Sequence, residues 1–158
     1  MEIIIEEDHS DEVLRELEHK IKAALTACGQ QAQSHAQQNV AAAGRVDTGK
    51  LQNGMESKVK GDTCYVGTNV EYAAYHELGT GIYAGGSGWW VYVPGGGGGG
   101  GSGKRYTREE AAKIVARMRA QGIDAHMTQG IAPIHFLKNA LADNISEYQS
   151  IIEEYLNK

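Results

Sequence analysis

Cysteine is scarce, a basic field is missing and no long apolar run occurs, and each absence removes a class of protein. Only two cysteines stand in 158 residues, Cys28 and Cys64. Their separation makes neither a zinc ligand set nor a redox CxxC pair, so they read as two buried thiols in a reducing compartment. Basic residues are outnumbered, 15 Lys and Arg against 20 Asp and Glu, giving a formal charge of −5 and a pI near 5.7. Without a global positive field the chain cannot hold phosphate backbones by counterion release, which excludes tight non-specific nucleic-acid binding. No stretch approaches the roughly 20 apolar residues of a membrane span. The opening Met1-Glu2-Ile3-Ile4-Ile5-Glu6-Glu7-Asp8 sets three apolar residues among acids, where a secretory signal needs a basic start and a longer apolar run. A cytoplasmic protein without membrane contact is expected.

What the chain has in excess is glycine in one place. Of 21 glycines, 13 fall between positions 79 and 103, including the unbroken run 95–101. That segment reads as a flexible loop between two structured parts of a single domain, residues 1–158.

The first part opens with a helix capped by Ser10, with Asp11 and Glu12 at the positive end of its dipole. Val13, Leu14, Leu17, Ile21, Leu25, Cys28 and Ala32 recur at three- and four-residue steps as one apolar stripe. The pattern fades into the polar, alanine-rich stretch 30–43, and Gly44 stops it. At about 1.5 Å per residue such a rod is roughly 45–50 Å long, and its far end is exposed unless a neighbour covers it. Residues 55–60 and 63–68 alternate as strands, joined by the hairpin pair Gly61-Asp62. Met55, Ser57 and Val59 face one side; Glu56, Lys58 and Lys60 face the other. The run 89–93 offers a third strand, with Pro94 confining it to an edge or an end.

Beyond the glycine run, Thr107-Arg108-Glu109-Glu110 matches a capping box and predicts a short helix to about Gln121, stopped by Gly122. Its apolar face is Ala111, Ile114, Val115 and Met118. Pro133 suits a first helical position, and Ile134, Leu137, Leu141, Ile145, Tyr148, Ile152 and Tyr155 keep a helical period after it. The expected class is α+β: a small antiparallel sheet packed by a long N-terminal helix and a C-terminal helix, with a glycine-rich loop and a short helical insert.

Several catalytic patterns begin and break off. Gly98 to Lys104 imitates a phosphate-binding loop, but Arg105 stands where Ser or Thr would hold magnesium. A solvated linker with a basic end is the plainer reading, and a phosphate-binding or hydrolytic enzyme using the Lys104 loop is the alternative from another class. His76-Glu77 starts a zinc-protease HExxH, and Thr80 occupies the second histidine's place. Neither Ser87 nor Ser102 completes GxSxG, because Trp89 and Lys104 fill the closing positions. Asp47-Thr48-Gly49 reads as local turn chemistry, since Asp and Thr bond their own backbone and glycine takes the turn conformation. Trp89, Trp90 and Tyr92 either pack on their own sheet or fill a partner's pocket.

Three segments in order are more specific: Arg45-Val46-Asp47-Thr48-Gly49-Lys50-Leu51, then Val66-Gly67-Thr68 leading to Tyr72-Ala73-Ala74-Tyr75-His76-Glu77-Leu78-Gly79-Thr80, then Pro133-Ile134-His135-Phe136-Leu137-Lys138-Asn139-Ala140-Leu141. Together they resemble the neck and tail-component family of long-tailed double-stranded DNA phages, which shows VDTGxL, YAxxxExGT and PxxFLxxAL patterns. The resemblance spans about residues 8–156, with 81–127 as a variable insert. His76 stands where an apolar residue is usual, and Leu78 where an aromatic is common.

The resemblance implies a structural protein of the head-to-tail connection, a neck or tail-completion component, without enzyme activity or cofactor. A tail terminator or a minor head protein shares the architecture. Its implied partners are copies of itself in a ring, a hexamer as in similar proteins, and the adjacent neck and tail-tube proteins. DNA passes through without specific binding, and net negative charge suits such a channel. Assembly takes place in the host cytoplasm and the product resides in the virion. The residues carried over are Asp47, Thr48, Gly49 and Leu51 as the turn from helix to sheet; Tyr72, Tyr75, Glu77, Gly79 and Thr80 as a second group; and Pro133, Phe136 and Leu137 as the start of the last helix. Glu77 is expected to accept hydrogen bonds, and Gly79 to turn the chain into the loop. Residues 81–103, with Trp89, Trp90 and Tyr92, are expected to form an assembly arm that becomes ordered against neighbours.

Overall fold

The computed structural model describes residues 9–44, 49–94 and 104–157. It divides into two compact units, one made of Met1–Val70 and Phe136–Lys158, the other of Glu71–His135. The class is α+β. The insert expected at 81–127 lies within the second unit.

The first unit is built on α1, Ser10–Ala42, a helix of 33 residues and therefore about 50 Å. The capping position is His9, one residue earlier than expected, and Ser10 already belongs to the helix. The buried face also differs from the expected stripe. Val13, Leu14 and Leu17 are exposed, at 61%, 57% and 44%. Of that stripe Ala32 is buried as expected, and the other buried positions are Ala24, Gly29, Ala36 and Val40, toward the C-terminal half of the helix. Small side chains let neighbouring elements approach the helix axis, so alanine does the packing there. The covered end is thus the alanine-rich one, and the leucine-bearing end is bare.

After Gly49 a single turn, α2 (Lys50–Asn53), buries Leu51 and leads into β1 (Met55–Lys60) and β2 (Thr63–Thr68). The two strands pair antiparallel from Met55 opposite Thr68 to Lys60 opposite Thr63. Gly61 has φ +59°, the positive value that a two-residue hairpin loop takes at its first position. Burial alternates along β1 as expected, with Met55 fully inside and Glu56, Lys58 and Lys60 outside. The sheet lies close on α1: a Cβ on Gly29 would collide with Cys64 Sγ and sit 3.2 Å from Ser57 Cβ.

The C-terminal helix is two helices, and Pro133 lies three residues before the first. α5 runs Phe136–Ala142 and α6 runs Ile145–Leu156. In an unbroken helix the Ala140 carbonyl would accept the Asn144 backbone N–H. Here it accepts the Asn144 Nδ2–H at 2.9 Å and the Tyr148 hydroxyl at 2.7 Å. A side-chain amide that competes with its own backbone is the physical reason for the break. The break leaves Leu141 and Ile145 of the expected stripe exposed, while Phe136 and Ala140 are buried.

In the second unit, α3 (Ala73–Leu78) is followed by a 3-10 turn, Gly81–Ala84, and then β3 (Trp90–Tyr92). β3 does not extend the β1–β2 sheet as a third strand. It pairs antiparallel with β4 (His126–Thr128), Trp90 opposite Thr128 and Tyr92 opposite His126. Between them in sequence comes α4, Arg108–Ala120, with the expected capping box: Thr107 Oγ1 accepts the Glu110 N–H at 3.3 Å, and the Glu110 carboxylate accepts the Thr107 N–H at 2.9 Å. Ala111 and Val115 carry its buried face, and Gly122, at φ +80°, follows its end.

Candidate functional site

The three motifs are distributed over both units. Asp47 and Thr48 lie outside the described residues. Gly49 has φ +72° and precedes α2, where its carbonyl accepts the Asn53 N–H at 2.8 Å. Leu51, 3% exposed, is part of the first unit's core with Met55 and Val70. Gly49 and Leu51 therefore turn the chain between helix and hairpin and bury the turn. Phe136, fully buried, and Leu137 open α5, and the Phe136 carbonyl accepts the Asn39 Nδ2–H of α1 at 3.1 Å.

Within the second unit the structure brings the Gly79-Thr80 end of the second motif against Pro133. Gly79 is buried with φ +77°, and a Cβ there would come within 2.8 Å of Pro133 Cδ and 2.9 Å of the Ile131 carbonyl. The Thr80 N–H donates to the Ile131 carbonyl at 2.9 Å, and the Thr80 hydroxyl accepts the Ile131 N–H at 2.9 Å. The Ile134 N–H donates to the His76 carbonyl at 2.8 Å, and the Ile82 N–H to the Gln129 carbonyl at 2.9 Å. A glycine that only a bare backbone can occupy and a threonine that bonds through both main chain and hydroxyl thus tie α3 to the segment that follows β4. Pro133 contributes to this tie rather than to the first turn of α5.

Tyr72 caps α3 and meets His76 edge-on, ring centroids 5.8 Å apart. Glu77 is half-buried on the same helix. Tyr75 and Leu78 are exposed at 53% and 63%. The described part of the expected arm is not free. Residues 81–94 are built into the second unit, with Trp89 and Tyr106 exchanging backbone hydrogen bonds at 2.9 Å and Trp90 half-buried in β3. The run 95–103 lies outside the described residues. Lys104 sits 5.5 Å from the Tyr106 ring centroid, and the carboxylate at the start of α4 is the helix's own Glu110.

Two features were not foreseen from sequence. One is a polar cluster of α1 and α6. Tyr148 donates its only hydroxyl proton to the Ala140 carbonyl, so His35 Nδ1, 3.0 Å from Tyr148 Oη, must carry the proton between them. Gln31 then donates to Glu147 Oε1 at 2.7 Å and lies 3.3 Å from His35 Nε2. The i, i+4 spacing of Gln31 and His35 was visible, but their partners lie more than 110 positions away. The other is a groove of about 530 Å³ on the second unit, with Val115 and Met127 as floor and Tyr92 and His126 stacked 5.5 Å apart on one wall. Arg119 stands at its edge, its Nε donating to the Ala125 carbonyl at 2.8 Å.

Burial pushes the Cys28 and Cys64 thiols and the Tyr148 phenol above their ordinary values, in that each is shielded from water. Among the described residues no three His, Cys, Asp or Glu side chains are grouped to hold a metal, and no helix is long and apolar enough to cross a membrane.

The chain is accordingly an α+β protein whose motif residues in the described segments turn and tie its backbone. Residues 7–79 match the family model described as "Bacteriophage HK97-gp10, putative tail-component". The phage tail-component resemblance read from the motifs is therefore shown across α1, the hairpin and the second motif. It supports a structural role in a phage particle. No curated protein and no solved structure matches the chain.

Proposed function

We propose that the chain is a structural component of the head-to-tail connection of a long-tailed double-stranded DNA phage, a neck or tail-completion protein that forms a ring around the DNA passage and catalyses no reaction. The observation that carries this reading is the family match over residues 7–79. The geometry agrees with it, since Gly49, Leu51, Gly79 and Thr80 are all engaged in turning and tying the chain. Whole residues 1–158 act as one tail component, with copies of the chain, adjacent neck proteins and tail-tube proteins as partners. The exposed Tyr75, Leu78 and Tyr92 are offered as contact residues. Trp89 and Trp90, half-buried in the second unit, act by holding that unit together.

The test is electron microscopy of lysates from a phage or prophage lacking the gene. Filled heads beside separate tails of normal length are expected. Abnormally long tails would make the protein a terminator, and normal infectious particles would overturn every structural reading.

A further inference from the structure

Within the formal charge of −5, two stretches of the chain carry opposed charge. Residues 10–18, the first turns of α1, carry four acidic side chains and one basic, Arg15, a net −3. Residues 104–119 carry six basic side chains and two acidic, a net +4. In α4 the exposed Arg108, Lys113, Arg117 and Arg119 bring that positive charge to the helix surrounding the groove.

Each patch also has an unsatisfied apolar part. α6 runs antiparallel to α1, since the Phe136 carbonyl meets Asn39 and, further on, Tyr148 meets His35 and Cys28. From Tyr148 to Leu156 the helix rises about 12 Å, which carries it to roughly residue 23 of α1 and no further. Val13, Leu14 and Leu17 on the first turns are therefore left exposed by the described residues of the first unit. On α4, Ala112, Val115, Ala116 and Arg119 follow the i, i+3, i+4, i+7 spacing along the groove, and the exposed Ala112 and Ala116 are small enough for a second helix to come close.

We infer that the acidic first turns of α1 in one copy of the chain dock in the basic groove of α4, β3 and β4 in a second copy. Leu14 and Leu17 enter between Tyr92, Val115 and Met127, while Asp11, Glu12 and Glu18 face Lys113, Arg117 and Arg119. Apolar anchors give the contact its strength, and the opposed charges set its orientation and rate. Because the two patches differ, the contact is head-to-tail, and repetition closes a ring or extends a filament. The inference rests on the ring reading above and names the surfaces that would build it.

The test measures self-association of the full chain by sedimentation, with two variants at exposed positions. The tip variant is Leu14→Ser with Leu17→Ser, and the groove variant is Ala112→Glu with Ala116→Glu. Thermal unfolding of each alone checks that it folds. Wild type is expected to associate, less so as salt rises, because exposed charges are screened. Each variant alone is expected to associate about tenfold more weakly or not at all. An equimolar mixture is expected to stop at heterodimers, since only the tip of one variant and the groove of the other remain intact. Wild type that stays monomeric overturns the contact, as do variants that associate like wild type. Variants that lose thermal stability without any change in association would place the tip in the groove of its own chain, which also overturns it. Duplex DNA bound by wild type and released by the groove variant, with no self-association, would give the basic face to nucleic acid. Rings formed equally by all the proteins sink this contact and leave the ring reading standing. Heterodimers in the mixture beside open wild-type filaments uphold the contact and sink the ring.

Discussion

The two units of the molecule are stabilised by different means. The first is held by side-chain burial: Ala24, Ala32, Ala36, Val40, Leu51, Met55, Phe136 and Ala140 are each at most 3% exposed. The second buries less, chiefly Ala73, Ala111, Val115 and Ala125. Its cohesion lies in backbone hydrogen bonds between 80–82 and 129–131 and in glycines that permit backbone to touch backbone. A unit of the first kind tolerates changes at turns and fails when its core is hollowed. A unit of the second kind fails when a single Cβ is added at a crossing point.

Phe136→Ala should give the largest effect, about 3–5 kcal/mol lost from the first unit, because the ring is fully buried and its removal leaves a cavity. Urea unfolding followed through the α1 helix signal measures it, and a loss under about 1 kcal/mol would mean that burial is not what holds this unit. Gly81→Ala is the matching blow to the second unit. Gly81 has φ +64°, and a Cβ there would run into the Gln129 carbonyl, so a loss above about 1 kcal/mol is expected. Hydrogen exchange should show the Ile82 amide losing protection while the amides of α1 keep theirs. Equal loosening of both would erase the contrast.

Thr107→Ala removes the acceptor of the Glu110 N–H and should cost about 1 kcal/mol, read as fraying of the first turn of α4. The smallest effect separates the units by pH. Cys28, Cys64 and Tyr148, all in the first unit, hold their protons more tightly folded than unfolded. Their contribution is complete below the ordinary thiol value of 9.0 and is lost as the pH rises through the raised folded values. The melting temperature of the first unit should fall in alkali, and Cys28→Ala should flatten the decline. An unchanged slope in that variant would remove the thiol from the account.

What could be read in the sequence was local. The hairpin at Gly61-Asp62 and the box at Thr107-Glu110 each involve residues within a few positions of one another, and both strands and the cap stand where expected. The turn at Gly79 was legible for the same reason, since positive φ is a property of the residue itself. Its partners Ile131 and Pro133 are not legible, because they lie more than 50 positions away and local pattern places Pro133 at a helix start instead. Leu14 and Leu17 were the plainest apolar signals on α1, yet they are bare, and Ala36 and Val40 are buried.

By itself, the sequence determined the alternation of β1, the cap and stop of α4, the hairpin register and the turn-forming glycines. These are set by the steric and hydrogen-bonding preferences of neighbours along the chain. Only the tertiary structure decided which face of α1 is covered, that 90–92 pairs with 126–128 while Trp89 pairs with Tyr106, and that Ala140 surrenders its carbonyl to Asn144 and Tyr148. Each of these outcomes is a competition between partners, most of them far apart in sequence, and the winner is the arrangement in which backbone groups are satisfied and small side chains let the elements close.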